Sequence, residues 1–386
     1  MAGLISIPNN STVGYTISST TASEGDMTTL TLYSSLLYLI LYLALILAVI
    51  TGNLLVILAV YYENSLRTPT NYFIVNLACA DLLLGTLVLP FSGVYEVVGK
   101  WHFGHVFCDV WAATDVLCCT ASITSLCVIS IDRYIGVTRP LKHRLIMTPR
   151  RACWLIVLVW ISSFSIAVGP LFGWRPPKDD PLECPLSNQV DYVVFSVIGS
   201  FYVPTLVIVV LYFKIYRAVC KESKKLKTNS RDDDSEEKSK EVSLRIHRGA
   251  ENNSFSSQSQ HSSGSECQSL RKTRISRQRL SQKRALTFNR EKKVAKILGI
   301  VVGTFILCWF PFFFLLPITS VFPNNNIPPG FFTFAFWLGY CNSFVNPIIY
   351  GASNRTFRRA FNGILTCQYC FGRRRRLTSN GLGYSV

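Results

Sequence analysis

A single acidic side chain lies within a long apolar run. Asp115 falls in residues 110–131, which are otherwise apolar or small and contain no Lys or Arg. A carboxylate at membrane depth costs roughly 2.5–3.5 kcal/mol on insertion scales, so it normally faces a cavity or a partner and is functional. The missing partner is then a cation from outside the chain, such as a protonated amine. The alternative is a carboxyl held by internal hydrogen bonds alone.

Long apolar runs recur along the rest of the chain. The 386 residues are 49% hydrophobic, and a bilayer-spanning helix needs about 20 predominantly apolar residues. The runs that reach this length lie at residues 34–60, 71–96, 105–133, 152–173, 190–216, 294–318 and 328–350. Seven such runs are too many for the buried helices of a soluble protein. The sequence therefore predicts an all-α membrane protein, a seven-transmembrane helix bundle.

The distribution of Lys and Arg orients the predicted bundle. Residues 1–33 contain neither residue type, whereas residues 139–151, 214–296 and 373–376 are strongly basic. Cytoplasmic loops carry the excess of Lys and Arg, so the N-terminus is expected outside and the C-terminus in the cytoplasm. The net charge of +17 follows mostly from this bias. Anionic membrane lipid and an acidic cytoplasmic partner are the expected counterparts, and nucleic acid is not.

The polar segments divide the chain. Residues 218–289 combine clustered charges with a Ser- and Gln-rich stretch, a composition that favours disorder. After the last run, Phe357 and Phe361 stand four residues apart with Arg358 and Arg359 between them, the pattern of an amphipathic helix on the membrane surface. The predicted organisation is an extracellular tail over 1–33, helices 1–5 over 34–217, a largely disordered cytoplasmic loop over 218–289, helices 6–7 over 290–350, an amphipathic eighth helix over 351–366 and a cytoplasmic tail over 367–386.

Four of the 13 cysteines stand outside the core of the apolar runs in informative places. Cys108 begins the third run and Cys184 lies between the fourth and fifth, so both face an oxidising compartment and a disulfide between them is predicted. Cys367 and Cys370 follow the last run beside aromatic and basic residues, where palmitoylation is expected. A zinc pair is the less favoured interpretation because no second pair of ligands stands nearby.

Two overlapping glycosylation sequons begin at Asn9 and Asn10 in the predicted extracellular tail. Such short patterns also arise by chance. They support the predicted orientation without establishing it.

An unusual group of residues stands in each predicted span. In chain order these markers are Gly52-Asn53, Asn76 to Asp81, Asp132-Arg133-Tyr134, Trp160, Pro204 with Tyr212, Cys308 to Pro311, and Asn346 to Tyr350. Each marker is weak by itself, but their order over seven spans resembles the rhodopsin-like (class A) G-protein-coupled receptors, from residue 34 to about residue 365. The resemblance implies a multi-pass plasma-membrane receptor that activates a heterotrimeric G protein, with receptor kinases and arrestin as further partners.

The resemblance also implies a binding site for a biogenic amine. Asp115 matches the position that pairs with the ligand ammonium in the aminergic branch, and Ser196 and Ser200 match positions that hydrogen-bond ring hydroxyls. The two serines are four residues apart and so share a helix face, although small Ser residues also serve helix packing. Tyr340 matches a residue that can orient Asp115. The remaining positions of the implied site are Val116, Cys119, Trp309, Phe312, Phe313 and Phe336.

A conformational switch is implied at the cytoplasmic side. Arg133, beside Asp132, matches the cation that pairs with Glu291 in the resting state, and Tyr212 and Tyr350 match the tyrosines that hold it after activation. Further switch positions are Tyr134, Asn346 and Pro347.

Asp81 is a second acid inside a span. By family position it lies near Ser122, Asn342 and Ser343, a set of oxygen donors that suits a sodium ion because hard cations take oxygen ligands. The alternative is a water-filled hydrogen-bond network. No other cofactor is expected.

Within the family, residues 114–123, 199–204, 290–296 and 336–340 are similar to alpha-1-type adrenergic receptors. Such a receptor would signal through Gq, phospholipase C and calcium. The alpha-1-like octopamine receptors share most of these stretches, and dopamine and serotonin receptors are further alternatives. A transporter is disfavoured because inverted repeats are not evident. An enzyme is disfavoured because no metal-ligand cluster or nucleophile–base set stands out.

Overall fold

A computed structural model of the chain describes residues 24–169, 182–184, 189–250, 264–322, 327–366 and 368. The helices in these ranges are α1 (Glu24–Tyr62), α2 (Pro69–Leu83), α3 (Leu89–Val98), α4 (His105–Thr138), α5 (His143–Ile146), α6 (Pro149–Ala167), α7 (Val190–Val197), α8 (Val203–Ala250), α9 (Gly264–Val321), α10 (Pro329–Ser353) and α11 (Arg355–Leu365). The predicted glycosylation sites Asn9 and Asn10 and the predicted palmitoylation sites Cys367 and Cys370 lie outside the described residues.

Two pairs of these helices are continuous through a widened turn. A π turn over Leu84–Val88 joins α2 to α3, and another over Ile198–Tyr202 joins α7 to α8. By length and composition, six helical segments in the described ranges can cross a membrane: Ser35–Tyr62, Pro69–Val98, His105–Thr138, Pro149–Ala167, Val190–Lys225 and Ala285–Val321. These correspond to the first six predicted runs.

The seventh predicted run coincides with α10. This helix has 25 residues, enough to cross a bilayer, but polar residues lower its hydropathy below that of the other six. Asn342 and Asn346 are buried in it, and Pro347 lies inside it. Asn342 and Asn346 are also members of the predicted sites described below. The same residues therefore account for the low hydropathy of α10 and for its proposed role.

Short polar motifs fix where several helices begin. The Thr68 and Thr148 side chains each accept a backbone hydrogen bond from three residues further on, at 3.4 Å, and a proline follows each of them. A threonine cap followed by proline favours a helix start because the first backbone N–H groups have no helical partner. Asn354 caps α11 in the same way by accepting from the backbone of Thr356 at 3.0 Å.

The helix α11 lies where the amphipathic helix was predicted. Phe357 is 1% exposed and packs against Tyr350 with ring centroids 5.8 Å apart, whereas Arg358 and Arg359 are exposed. The helix thus separates an apolar face from a basic face, as its sequence pattern predicts.

The structure differs from the sequence prediction for the third loop. Residues 218–250 and 264–289, for which composition favours disorder, belong to α8 and α9. Lys, Arg and Glu are good helix formers, and their high content favours the extension of these helices.

The chain forms two compact units. Unit 1 comprises Met1–Ser130, Met147–Val209 and Ile297–Val386, and unit 2 comprises Ile131–Ile146 and Val210–Lys296. Within the described part of unit 1, α1 packs against α2, α3, α10 and α11. Unit 2 has its own apolar core, made of Val137, Ile215, Phe288 and Ala295, with Tyr134 and Tyr212 packed against it.

Candidate functional site

A disulfide bridges the start of α4 to residue 184. Cys108 and Cys184 are bonded, with their Cα atoms 5.7 Å apart, which confirms the predicted pair. The backbone N–H of Cys184 donates to the Tyr95 hydroxyl at 3.4 Å, and the backbone N–H of Trp101 donates to the Leu182 carbonyl at 2.6 Å. The disulfide and these two bonds hold residues 182–184 against α3, the start of α4 and the connection between them.

Asp115 is buried on α4. It is 6% exposed, and among the described residues no Lys or Arg forms an ion pair with it. The Cys119 thiol donates a weak hydrogen bond to its Oδ1 at 3.5 Å, and Val116 is half-buried next to it. A buried carboxylate with one weak donor leaves most of its hydrogen-bonding capacity unused.

The predicted interaction between Tyr340 and Asp115 is present only in part. The Tyr340 hydroxyl is fully buried and close enough to interact with the carboxylate, yet it makes no well-formed hydrogen bond to a protein atom in the described ranges. Both the acid and the phenol therefore present unused polar capacity at the same place. A ligand that carries a donor would satisfy both.

Aromatic side chains from α9 and α10 form a continuous wall beside this acid. The Phe336 ring lies 4.4 Å from the Tyr340 ring and 5.3 Å from the Phe312 ring, measured between centroids. Trp309 lies 5.6 Å from Phe313 and 6.0 Å from Tyr340. All five rings are largely buried. Three of these pairs, Phe336–Tyr340, Phe336–Phe312 and Trp309–Tyr340, meet edge to face, a favoured geometry of aromatic pairs.

Gly339 lets the Trp309 ring reach α10. A β-carbon at residue 339 would lie 2.6–2.8 Å from three carbon atoms of that ring, closer than real contacts allow. This glycine is not among the site residues predicted from the sequence. Its place next to the predicted aromatic positions was the only signal available.

The two predicted serines lie at the π turn. Ser196 is half-buried near the end of α7, and Ser200 is 4% exposed within the turn Ile198–Tyr202. The Ser200 hydroxyl donates to the Ser196 carbonyl at 2.6 Å, so the two residues remain neighbours despite the widened turn. The adjoining Phe201 stacks on Phe313 at 4.5 Å between centroids, which connects this segment to the aromatic wall.

Asp81 has a fuller set of partners than Asp115. It accepts hydrogen bonds from the hydroxyls of Ser122 and Ser343, at 3.3 Å and 2.8 Å, and from the Asn346 amide at 3.0 Å. Asn342 is also buried, and it makes no hydrogen bond to Asp81 in the described ranges. The amide that bonds directly to Asp81 belongs to Asn346, which was predicted as a switch residue.

The predicted charged pair lies within unit 2. The Arg133 guanidinium donates from Nη1 to the Glu291 carboxylate at 2.9 Å and also pairs with Asp132. Arg133 is 3% exposed and Glu291 is 15% exposed. Gly136, one helical turn after Arg133, makes room for Glu291, because a β-carbon there would lie 2.6 Å from Oε2.

A fourth residue, not predicted from the sequence, joins this network. The ring of His143, on α5, lies 2.7 Å from Asp132 through its Nε2 atom. A lone histidine in a short basic connection carries no pattern that points to a role. Only the packing of α5 brings it to Asp132.

The remaining predicted switch residues are distributed between the two units. Tyr134 and Tyr212 pack on the unit 2 core. In unit 1, Tyr350 is buried against Phe357, and Pro347 lies within α10 next to Gly52, where a β-carbon would lie 3.0 Å from the proline ring.

Six helical segments of the described ranges, and α10 beside them, are long enough to cross a membrane, and the buried Asp115 lies beside an aromatic wall on α9 and α10. Residues 52–350 match the family described as 7 transmembrane receptor (rhodopsin family), and the chain belongs to this family. It is therefore a multi-pass membrane protein of a receptor family, not an enzyme.

The similar proteins with known names are adrenergic receptors of the alpha-1 type. The chain is similar to the alpha-1A adrenergic receptor of Oryctolagus cuniculus, with 49% identity over 344 residues, 89% of this chain and 70% of that receptor. It is also similar to the alpha-1D adrenergic receptor of Homo sapiens, with 50% identity over 335 residues, 86% of this chain and 56% of that receptor. The alpha-1A adrenergic receptor of Mus musculus is 48% identical over 342 residues, covering 87% of this chain and 69% of the relative.

Proposed function

We propose that the chain is a receptor for a catecholamine or phenolamine, of the alpha-1 adrenergic type. The observation that carries the proposal is the buried Asp115 carboxylate, which has one weak donor and no cationic partner among the described residues. A protonated amine supplies both the charge and the donors that this carboxylate lacks. An ammonium–carboxylate bond in a partly dry site is charge-assisted and strong. The alpha-1A and alpha-1D adrenergic relatives support the same ligand class.

The rest of the site suits the remainder of such a ligand. An aromatic ring attached to the amine would lie against Trp309, Phe312 and Phe313, whose faces and edges attract another ring. Ring hydroxyls would point toward Ser196 and Ser200. Phe336 adds an aromatic surface beside Tyr340. One end of the ligand is thus recognised by charge, and the other by stacking and hydrogen bonds.

A direct comparison of agonists would identify the native amine among close alternatives. Octopamine has one ring hydroxyl where noradrenaline has two, and two serines can serve either molecule. Cells that express the receptor should release calcium in response to noradrenaline or octopamine at lower concentrations than to tyramine, dopamine or serotonin. A preference for dopamine or serotonin would assign the chain to another aminergic type. The absence of any response, with the receptor at the surface, would contradict the proposed function.

We expect Ser196→Ala and Ser200→Ala each to weaken binding of hydroxylated agonists. The loss should be roughly 0.5–1.5 kcal/mol per serine, the usual net worth of one hydrogen bond. A phenethylamine without ring hydroxyls should bind almost as before. Competition binding with both ligands measures the difference.

Ser165→Ala is the matched control for the serine variants. This serine is exposed on α6, and within the described ranges its hydroxyl donates to the Ser162 carbonyl of its own helix. Equal losses for both ligands in the Ser196 and Ser200 variants would show that those serines act through packing.

Signal transfer is proposed to depend on the Arg133–Glu291 pair. The paired arrangement would favour the resting state, and a G protein and an agonist would both favour the state in which the pair is broken. Two ligands that prefer the same state raise each other's affinity. We therefore propose that Asp132, Arg133 and Glu291 form the contacts of the resting state. Tyr212 and Tyr350 are the proposed partners of Arg133 after activation.

We expect Glu291→Ala to raise signalling in the absence of agonist. Loss of a pair worth roughly 1 kcal/mol should increase agonist-free activity by about five-fold, because the population shifts without any new ligand contact. Inositol phosphate accumulation at matched surface expression measures it. Lys293→Ala, an exposed change two residues away on the same helix, is the control and should leave this activity unaltered.

The cellular setting completes the proposal. An extracellular N-terminus and a cytoplasmic C-terminus are proposed from the placement of the basic segments, and Gq is proposed as the G protein because the relatives are alpha-1 receptors. Receptor kinases and arrestin are proposed as further cytoplasmic partners, and anionic lipid as the partner of α11. A cyclic-AMP response without calcium release would show that the receptor couples to another class of G protein.

A sodium ion is proposed at Asp81. The residues fit a hard cation: one buried carboxylate with the hydroxyls of Ser122 and Ser343 beside it, while the buried Asn346 side-chain oxygen has no protein partner in the described ranges. These oxygens would hold the ion. Bound sodium would add charge compensation for Asp81. A network of water molecules is the alternative occupant.

A further inference from the structure

A tyrosine at the end of the second π turn bonds to the backbone of α9. Tyr202, the last residue of the turn Ile198–Tyr202, donates from its hydroxyl to the Phe313 carbonyl at 3.3 Å. This distance is longer than the roughly 2.7–2.8 Å of most bonds between a hydroxyl and an oxygen, so the bond is a weak one. Both residues belong to unit 1. The proposed ligand contacts make no use of this hydroxyl.

A proline explains why this carbonyl needs a donor from another helix. In an α-helix the Phe313 carbonyl would accept from the backbone N–H four residues later in the chain. That position is Pro317, which lies inside α9 and has no N–H. A backbone group freed in a membrane-spanning helix has to find another donor, because the apolar part of a bilayer offers no water. The Tyr202 hydroxyl therefore supplies the donor that Pro317 cannot.

Phe313 is contacted twice by neighbouring residues of the turn. The Phe201 ring stacks on the Phe313 ring with centroids 4.5 Å apart, and Tyr202 bonds to the Phe313 carbonyl. The Phe201 and Tyr202 rings also meet edge to face, with centroids 5.6 Å apart. One contact restrains the side chain of Phe313, and the other restrains its backbone. We call these two interactions the double contact; a displacement of the turn along α9 would disturb both.

The double contact lies between the two parts of the proposed ligand site. Ser200 directly precedes Phe201, and its hydroxyl donates to the Ser196 carbonyl at 2.6 Å, so both serines belong to the segment that the double contact holds. Phe313 belongs to the aromatic wall and lies 5.6 Å from Trp309, measured between ring centroids. The separation between the serines and the wall is therefore set at Phe313.

We propose that Tyr202 is a positioning residue of the ligand site: its bond to the carbonyl freed by Pro317 fixes the separation between the serine pair and the aromatic wall. The inference rests on the proposed function, because it concerns how that site would prefer amines with a hydroxylated ring. Such a ligand meets the wall with its ring and the serines with its hydroxyls, so both contacts form together only at one separation. A ring without hydroxyls depends on the wall alone. A site already held at that separation binds the hydroxylated ligand more tightly, because less order has to be imposed on binding.

Tyr202→Phe removes the hydroxyl and keeps the ring that packs against Phe201. We expect the affinity for noradrenaline and octopamine to fall by roughly two- to five-fold, the lower part of the range for one hydrogen bond, because this bond is long. The affinity for a phenethylamine without ring hydroxyls should stay nearly the same. Competition binding in membranes, against a labelled amine antagonist, measures both. Tyr216→Phe is the matched control: it makes the same change at an exposed position of α8 and should alter neither affinity.

A double-mutant cycle with Pro317→Ala tests the origin of the bond. This substitution restores a backbone N–H at residue 317, which can donate to the Phe313 carbonyl within α9. In that background Tyr202→Phe should no longer lower the affinity for hydroxylated agonists, since two changes that act on one shared partner have non-additive effects. Pro328→Ala, which replaces an exposed proline outside α9, is the control background, in which the full effect of Tyr202→Phe remains.

The apparent melting temperature of the unliganded, solubilised receptor should show the same coupling. Tyr202→Phe should lower the melting temperature in the unmodified background, because the Phe313 carbonyl loses its donor. It should leave the melting temperature unchanged beside Pro317→Ala, because the backbone of α9 then supplies the donor. This measurement needs no ligand, and so it tests the bond independently of what the receptor binds.

The outcomes separate this inference from the proposed function. Equal losses for the hydroxylated and unhydroxylated amines in the Tyr202 variant would overturn the positioning role. An effect of Tyr202→Phe that is unchanged beside Pro317→Ala would overturn the link to the freed carbonyl. If the Pro317 variant fails to reach the membrane, the comparison of amines in the Tyr202 variant decides alone. An unmodified receptor that binds no amine contradicts the proposed function, and the melting temperatures of the Tyr202 and Pro317 variants still test the double contact.

Discussion

Replacing Asp115 by Asn is expected to abolish detectable binding of protonated amines while the receptor still reaches the membrane. The amide has the same shape but no charge, and its N–H groups would face the ligand ammonium. Truncating one partner of a buried, hydrogen-bonded charge pair costs roughly 2–5 kcal/mol, so affinity should fall by at least about 30-fold. Saturation binding of a labelled amine antagonist, together with surface labelling of an N-terminal tag, measures both quantities.

Asp109→Asn provides the matched control for that variant. Asp109 lies on the same helix, six residues earlier, and is partly exposed, unlike Asp115. The chemical change is identical, so a general effect of removing an acid from α4 would appear in both variants. Near-normal affinity for a catecholamine in the Asp115 variant would refute the proposed site.

Replacing Gly339 by Ala should destabilise the receptor and weaken ligand binding together. The new methyl group would overlap the Trp309 ring, and that ring cannot move freely because Phe312, Phe313 and Tyr340 surround it. Overpacking a well-filled interior costs roughly 1–3 kcal/mol and occasionally more. The apparent melting temperature of the solubilised receptor and the affinity of an antagonist measure the two effects.

Gly303→Ala is the control that distinguishes steric overlap with the Trp309 ring from a general effect of adding a methyl group. Gly303 lies on α9, and a β-carbon there would meet no atom within 4 Å. Both changes place a better helix former in a helix, which by itself favours folding by roughly 1 kcal/mol. The control should therefore be neutral or more stable. If both variants behaved alike, the contact between Gly339 and Trp309 would have no special role.

Much of the fold could be predicted because membrane burial leaves a strong mark on sequence. Spans of about 20 apolar residues are visible without alignment, and Cys108 and Cys184 stood out because both were placed on the oxidising side. Arg133 and Glu291 are paired as the family resemblance implied. Asp115 could be singled out because a carboxylate at membrane depth is costly and is therefore seldom incidental.

Other features left no periodic or compositional signal. The π turns over Leu84–Val88 and Ile198–Tyr202 lie inside runs whose apolar residues give no reliable period. His143 lies in a short basic connection, where one imidazole among Lys and Arg residues suggests only a solvated loop. The hydrogen bond from Asn346 to Asp81 depends on how α10 is rotated, which sequence spacing alone does not determine.

The π turn before α8 affects how recognition can diversify. Adding one residue to a helical turn rotates everything on its N-terminal side by about 100° relative to the rest, since each residue of an α-helix advances by that angle. The turn separates α7 from α8, and Ser200 lies within it, one turn after Ser196. A change of chain length by one residue can thus re-aim the hydroxyl-bearing segment while α8 keeps its packing. A one-residue insertion or deletion at this turn would therefore change ligand preference without a substitution at any contact residue.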